Sequence, residues 1–163
     1  MRAATKYRDA AVLAASLAAC QAAGLIGALF TRPAIPGWYA SLAKPRFTPP
    51  PWLFAPAWIA LYLMMGVSLF LVWRRGESEP GRRDALSVFF LQLALNALWS
   101  PAFFGLRSTG AGMAVIAGLW VAIAVTLNRF RKVSSTAAWL LLPYFAWVSF
   151  AAALNYSLWT LNP

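Results

Sequence analysis

The side chains of this chain that could do chemistry inside a membrane are few, neutral and grouped. Gln92, Asn96 and Trp99 stand at i, i+4 and i+7 and share one helical face. Tyr144, Trp147, Ala151 and Asn155 share a second face, just after Pro143. Each face sets an amide and an aromatic ring beside a small gap. Amides donate and accept hydrogen bonds, and indoles stack. The pattern fits recognition of a flat, mostly apolar molecule. It equally fits interhelical hydrogen bonds that fasten a bundle, worth roughly 0.6–2 kcal/mol each.

The missing residue types narrow the chemistry. There is no histidine, and the only acids are Asp9, Glu77, Glu79 and Asp84, all outside the apolar segments. That excludes triads, metal sites built on histidine or carboxylate, and most acid–base catalysis. It also argues against a proton-coupled pump, which needs an intramembrane carboxylate or histidine. Cys20 is the one cysteine, so no intrachain disulfide can form. Leu17-Ala18-Ala19-Cys20 behind a basic N-terminus looks like a lipoprotein cleavage site. The apolar run continues to Phe30, however, so Cys20 is expected as a small buried residue of a first helix.

The elements that must hold these residues are transmembrane helices. The chain is 61% hydrophobic and 11% charged, with a mean hydropathy of +0.64. Soluble domains are about half apolar and a quarter charged. Five apolar segments, about 10–30, 52–73, 85–105, 109–128 and 136–159, each approach the roughly 20 residues that a spanning helix needs. The expected fold is all-α, a single membrane domain of five helices over residues 1–163. The alternating pattern of a β-barrel is missing, and so is an internal repeat. Ala114, Gly118 and Ala122 form a small-residue ridge expected to pack within the bundle, and Gly24 and Gly27 thin the first helix.

Ten of the 14 basic residues fall on one side of such a bundle: Arg2, Lys6, Arg8, Arg74, Arg75, Arg82, Arg83, Arg129, Arg131 and Lys132. Arg32, Lys44, Arg46 and Arg107 fall on the other. The positive-inside rule then puts the N-terminus in the cytoplasm, with the first connection and the C-terminus outward. The formal charge of +10 sits in short juxtamembrane clusters that suit lipid contacts. It does not form a face that could track a nucleic acid.

The first connection, 31–51, is too elaborate for a turn. Trp38-Tyr39, Lys44-Pro45-Arg46-Phe47-Thr48-Pro49-Pro50-Pro51-Trp52 and Pro56-Ala57-Trp58 are rigid, aromatic and basic. Proline fixes φ and reduces chain entropy, so the segment holds one shape. It reads as a lid. Lys44 and Arg46 are candidate partners for ligand carboxylates, and Arg32 is one too or else snorkels to lipid head groups. Trp52 suits an interfacial anchor.

These segments together resemble the TspO/MBR family, that of translocator protein and tryptophan-rich sensory protein. The likeness is carried by Trp38 to Pro45, Pro49-Pro50-Pro51-Trp52, Pro56-Ala57-Trp58 and Leu61-Tyr62. It continues through Gln92 to Asn96, Trp99-Ser100-Pro101, Phe103-Phe104-Gly105, Pro143-Tyr144, Trp147, Leu154-Asn155-Tyr156 and Trp159. The resemblance implies a five-helix bundle, often a homodimer, that binds porphyrins such as protoporphyrin IX or haem and acts in tetrapyrrole or stress regulation in a bacterial membrane. By motif position Ala28, Tyr39, Asn96, Ala151 and Leu154 match pocket residues. Trp58 and Trp147 match tryptophans assigned to light-dependent porphyrin breakdown. The expected ligand set is therefore Ala28, Tyr39, Lys44, Arg46, Trp58, Asn96, Trp99, Tyr144, Trp147, Ala151 and Leu154, with no metal and no required cofactor.

Three readings of function follow: a porphyrin-binding sensor or translocator, a photochemical porphyrin-degrading enzyme, and a small-solute channel. The chain also departs from the family. Arg46-Phe47 follow Lys44-Pro45 where an aromatic pair or Ser-Trp is frequent. Ala111 stands where animal members have Trp. Thr160 follows Trp159, so the basic end of the animal cholesterol motif is missing.

Overall fold

The computed structural model describes residues 2–162, with side chains from Lys6 onward. Five long helices make up nearly all of it: α1 (Arg2–Ala34), α2 (Phe54–Trp73), α3 (Arg82–Ser100), α4 (Thr109–Val133) and α5 (Ser135–Leu161). All five are long and apolar enough to cross a membrane. The chain is thus an all-α membrane bundle. In lipid this is one of two solutions that satisfy every backbone group internally.

The helix ends show how the sequence sets these elements. Ser108 caps α4 by accepting from the Ala111 N–H at 3.1 Å, and Ser134 caps α5 by accepting from Ala137 at 3.4 Å. Ser134 also closes α4, its N–H donating to Phe130 O at 2.7 Å. One residue therefore ends α4 and starts α5, so the two helices run antiparallel side by side. Gly81, at φ +76°, supplies the left-handed turn into α3.

Proline widens helices here and does not end them. Ile35–Tyr39 continues α1 as a π-helical turn containing Pro36, and Pro101–Gly105 continues α3 in the same way. A wider turn lets the chain pass a residue that has no N–H to give. The expected lid over 31–51 is consequently shorter. Thr31–Tyr39 is helical, and irregular chain is confined to 42–50 before the short 3₁₀ turn Pro51–Leu53.

The helices close into a ring in which α1 touches α2 and α3, α2 touches α5, and α4 lies between α3 and α5. One core runs through it, with Met65, Val72, Ala85, Phe89, Ile123 and Phe130 almost fully buried. Cys20 is also fully buried. Two glycines allow the closest approaches. A Cβ on Gly66 would come 2.8 Å from the Leu17 Cα of α1, and one on Gly112 would meet Phe103 at 2.5 Å and Asn155 at 2.9 Å. The Ala114–Gly118–Ala122 ridge is a correction. Only Ala122 is buried, Ala114 and Gly118 are exposed, and a Cβ on Gly118 would meet nothing within 4 Å. The buried face of α4 is instead Gly112, Ile116, Leu119, Ile123, Thr126, Phe130 and Val133. Branched and aromatic side chains bury more area than the small ridge, and they turn it outward.

Candidate functional site

The polar residues of α2, α3 and α5 meet inside the bundle as one chain of hydrogen bonds. Tyr62 Oη donates to Asn96 Oδ1 at 2.6 Å. Asn96 Nδ2 donates to Tyr144 Oη at 3.1 Å, and Tyr144 Oη donates to Gln92 Oε1 at 2.9 Å. Gln92 Nε2 is the one buried polar side-chain atom among the described residues without a partner. Buried polar groups are nearly always paired, so this spare donor is the exception within the relay. A second relay ties the other end. Trp99 Nε1 donates to Asn155 Oδ1 at 3.2 Å, and Asn155 Nδ2 donates to the Thr109 carbonyl of α4 at 2.8 Å. The amides therefore join helices, and in the same stroke they fix the rings around them.

Those rings form a wall. Trp58, one turn before Tyr62 on α2, stacks on it at 5.3 Å and presents an edge to Tyr144 at 6.3 Å. Trp147, one turn after Tyr144 on α5, packs edge-on to Phe54 at 6.0 Å and lies 5.9 Å from Phe150. Trp58, Trp99, Trp147 and Ala151 all border the main core and remain only partly buried. Both indoles keep surface available while their orientation is fixed from behind.

The remaining expected residues occupy the outer end. Tyr39 sits edge-on to Phe104 at 5.6 Å and to Phe103 at 6.4 Å. It belongs with buried Leu154 to a second aromatic cluster, to which Trp99 also contributes by stacking on Phe103 at 5.1 Å. Ala28 is half-buried on α1. The expected set therefore splits into an inner group around Asn96 and an outer group around Tyr39, with Trp99 bridging them.

The lid is tied down at both its ends. Lys44 Nζ donates to the carbonyls of Ala40 at 3.2 Å and Leu42 at 3.1 Å and stands 4.9 Å from the Tyr39 ring centre. It caps the end of α1. An ammonium has three donors, so one is left for a ligand. Arg46 is exposed on the turn, where Thr48 N and Oγ1 both donate to Pro45 O at 3.1 and 2.7 Å. Phe47 meets Phe150 edge-on at 6.2 Å. Asn162, just past α5, grips Ala43 twice. Its Oδ1 accepts from the amide at 2.9 Å and its Nδ2 donates to the carbonyl at 3.0 Å. Beside this clamp lies a recess of about 440 Å³, lined in part by Trp38, Leu42, Arg107 and Trp159. Trp52 is 71% exposed, as an interfacial anchor would be, and Arg32 is exposed as well.

Sequence reasoning missed Tyr62, Phe54, Phe150 and Asn162 as parts of this region. Tyr62 was open to inference, since it lies one turn from Trp58 on the same face. Asn162 carries no local signal, because its partner is 119 residues away.

A five-helix membrane bundle with an aromatic wall, a neutral amide–phenol relay and a clamped proline lid defines a class of small integral membrane proteins. The chain belongs to the TspO/MBR family, whose model matches residues 16–160. It is 44% identical over 150 residues to the tryptophan-rich protein TspO of Archaeoglobus fulgidus, covering 92% of this chain and 96% of that one. It is 41% identical over 155 residues to the protein of the same name from Chlorobaculum tepidum, covering 93% and 96%. The translocator protein of Bos taurus is 40% identical over 140 residues, covering 85% and 83%.

Proposed function

We propose that this protein binds a tetrapyrrole, protoporphyrin IX or haem, as a membrane sensor or translocator. The observation that carries the reading is the indole wall. Trp58 is stacked on Tyr62, and Tyr62 is locked through Asn96 to Tyr144 and Gln92. A porphyrin is a broad π surface with two carboxylates on one edge. Trp58 and Trp147 offer rings for its faces. Ala28 and Ala151 are small enough to leave it room. Tyr39 and Leu154 close the outer end, while Asn96, Trp99 and Tyr144 hold the wall in register. Lys44 and Arg46 reach the carboxylates from the lid. The names of the relatives, translocator protein and tryptophan-rich protein, accord with this role.

Titration with protoporphyrin IX should quench tryptophan fluorescence saturably, with a micromolar-range Kd, about −8 kcal/mol. A linear, unsaturable response would remove the reading. The Lys44→Ala, Arg46→Ala double variant should weaken binding of the dicarboxylate more than that of its dimethyl ester. Equal losses would leave both cations as lid anchors.

The stacked Trp58–Tyr62 pair also favours a second reading, light-dependent porphyrin breakdown. An excited porphyrin passes its energy to dioxygen, and the singlet oxygen formed adds to the porphyrin itself, while Trp58, held by its stacking on Tyr62, fixes the ring where that addition occurs. Turnover under light should then vanish in Trp58→Phe and Trp147→Phe while dark binding survives.

The same proposal sets the protein in a bacterial cell membrane, N-terminus inside and lid outside, as a homodimer. The charge bias between the two ends supports the orientation, and the outward Ala114–Gly118 ridge offers a second copy a close-packing surface. C-terminal reporters active only in the cytoplasm would reverse the orientation.

A further inference from the structure

A recess of about 470 Å³ lies between α4 and α5 at the end away from the lid. Its lining changes character with depth. Arg131 and Ser135 flank the Ser134 turn, Asn128 and Trp139 come about one helical turn deeper, and Leu127 and Leu142 lie at the bottom. At about 1.5 Å per residue, Arg131 is about 5 Å from the turn and the two leucines about 10–12 Å. The interfacial zone of one leaflet is about 5–8 Å thick. With distance from the turn the lining therefore runs from a guanidinium through an amide and an indole to leucines, the order of a phospholipid from phosphate through ester to acyl chain.

We infer that this groove holds one anionic phospholipid, its phosphate on Arg131, its glycerol ester beside Asn128 and Trp139, and one acyl chain against Leu127 and Leu142. Three features of the groove select that occupant. The polarity gradient repeats that of a phospholipid in order. The rim is cationic, with Lys132 beside Arg131 in the last turn of α4, and no acid lines the groove. Trp139 is 70% exposed. An indole at that depth is suited to ester carbonyls on one side and methylenes on the other. Basic pockets between membrane helices bind anionic head groups by this chemistry.

The test is native mass spectrometry of the detergent-solubilised full chain, titrated separately with dioleoyl phosphatidylglycerol and dioleoyl phosphatidylcholine. One phosphatidylglycerol should bind with about tenfold preference, or about 1.4 kcal/mol, because phosphatidylcholine brings the same phosphate together with a choline cation that the Arg131–Lys132 rim disfavours. Arg131→Gln should abolish the preference. Arg83→Gln, an exposed cation at the same end outside the groove, should leave it intact. Leu142→Trp, which fills the groove, should lower binding of both lipids, and Arg131→Gln, on an exposed residue, decides the matter should the filled variant not fold. Equal losses from Arg131→Gln and Arg83→Gln would reduce the effect to general surface charge and overturn the inference. So would the absence of any preference for phosphatidylglycerol. Displacement of the lipid by glycerol 3-phosphate would do the same, by showing a free-phosphate site.

Discussion

Asn96 is the residue on which the interior turns, because it both accepts and donates across helices. Its Oδ1 accepts a hydrogen bond from Tyr62 at 2.6 Å and its Nδ2 donates one to Tyr144 at 3.1 Å. Asn96→Leu would leave the Tyr62 hydroxyl unmatched in a low-dielectric core and remove one of the two partners of Tyr144, which would still donate to Gln92. The expected cost is about 1–3 kcal/mol, and thermal unfolding in detergent should show a melting point lower by about 2–10 °C. Gln92→Leu should cost less, since it removes an orphan donor along with the acceptor it takes from Tyr144. A larger drop for Gln92→Leu than for Asn96→Leu would mean that Nε2 already has a partner. Much of this was legible in the sequence. An amide pair at i and i+4 inside an apolar helix has to face protein, because lipid offers it nothing. Which phenols it would meet was not legible, as Tyr62 and Tyr144 lie 34 and 48 residues from Asn96.

At the scale of elements, helix contacts in this bundle are set by where side chains are absent as much as by where they are present. Gly66 lets α2 lie against the Leu17 backbone of α1. Gly66→Val would push two backbones apart, and neither can yield cheaply. The expected penalty is about 1–3 kcal/mol, visible as a lower melting point in the same detergent, whereas Gly118→Val should leave the fold of a single subunit nearly unchanged, because that position faces open space within it, and should act only on the proposed dimer. The contrast between these two glycines is the part the sequence did not reveal. Both sit in apolar helices, and Gly118 even has the more suggestive small neighbours at four-residue spacing. Burial of Ile116, Leu119 and Ile123 fixed the rotation of α4 and carried its ridge outward.

At the scale of the molecule, the lid, 42–50, and the connection 74–81 are the two longest irregular segments among the described residues, and the lid is held by the far end of the chain. The Asn162 clamp on Ala43 joins the first connection to the end of α5. Each such hydrogen bond is worth about 1 kcal/mol net. Asn162→Ala should therefore raise the hydrogen-exchange rate of the Ala43 amide by about fivefold or more, and it should speed porphyrin entry and exit together if the lid gates the site. Unchanged exchange at Ala43 would show that the prolines alone hold the loop.

The sequence by itself determined that this is a five-helix membrane protein, that its interior is neutral, and that its first connection is rigid, aromatic and basic. Those properties are local. Twenty apolar residues in a row, a missing histidine and a run of prolines have the same consequence wherever they fold. Tertiary structure decided what each polar side chain does. It turned the amides of α3 and α5 into a relay with two tyrosines, spent two of the three Lys44 donors on capping α1, shortened the lid by continuing α1 through Pro36, and appointed Asn162 as its clamp. These depend on which helix stands beside which. That order is set by the fit of glycines against backbones and of rings against rings, a sum over many distant pairs that no single segment of the sequence contains.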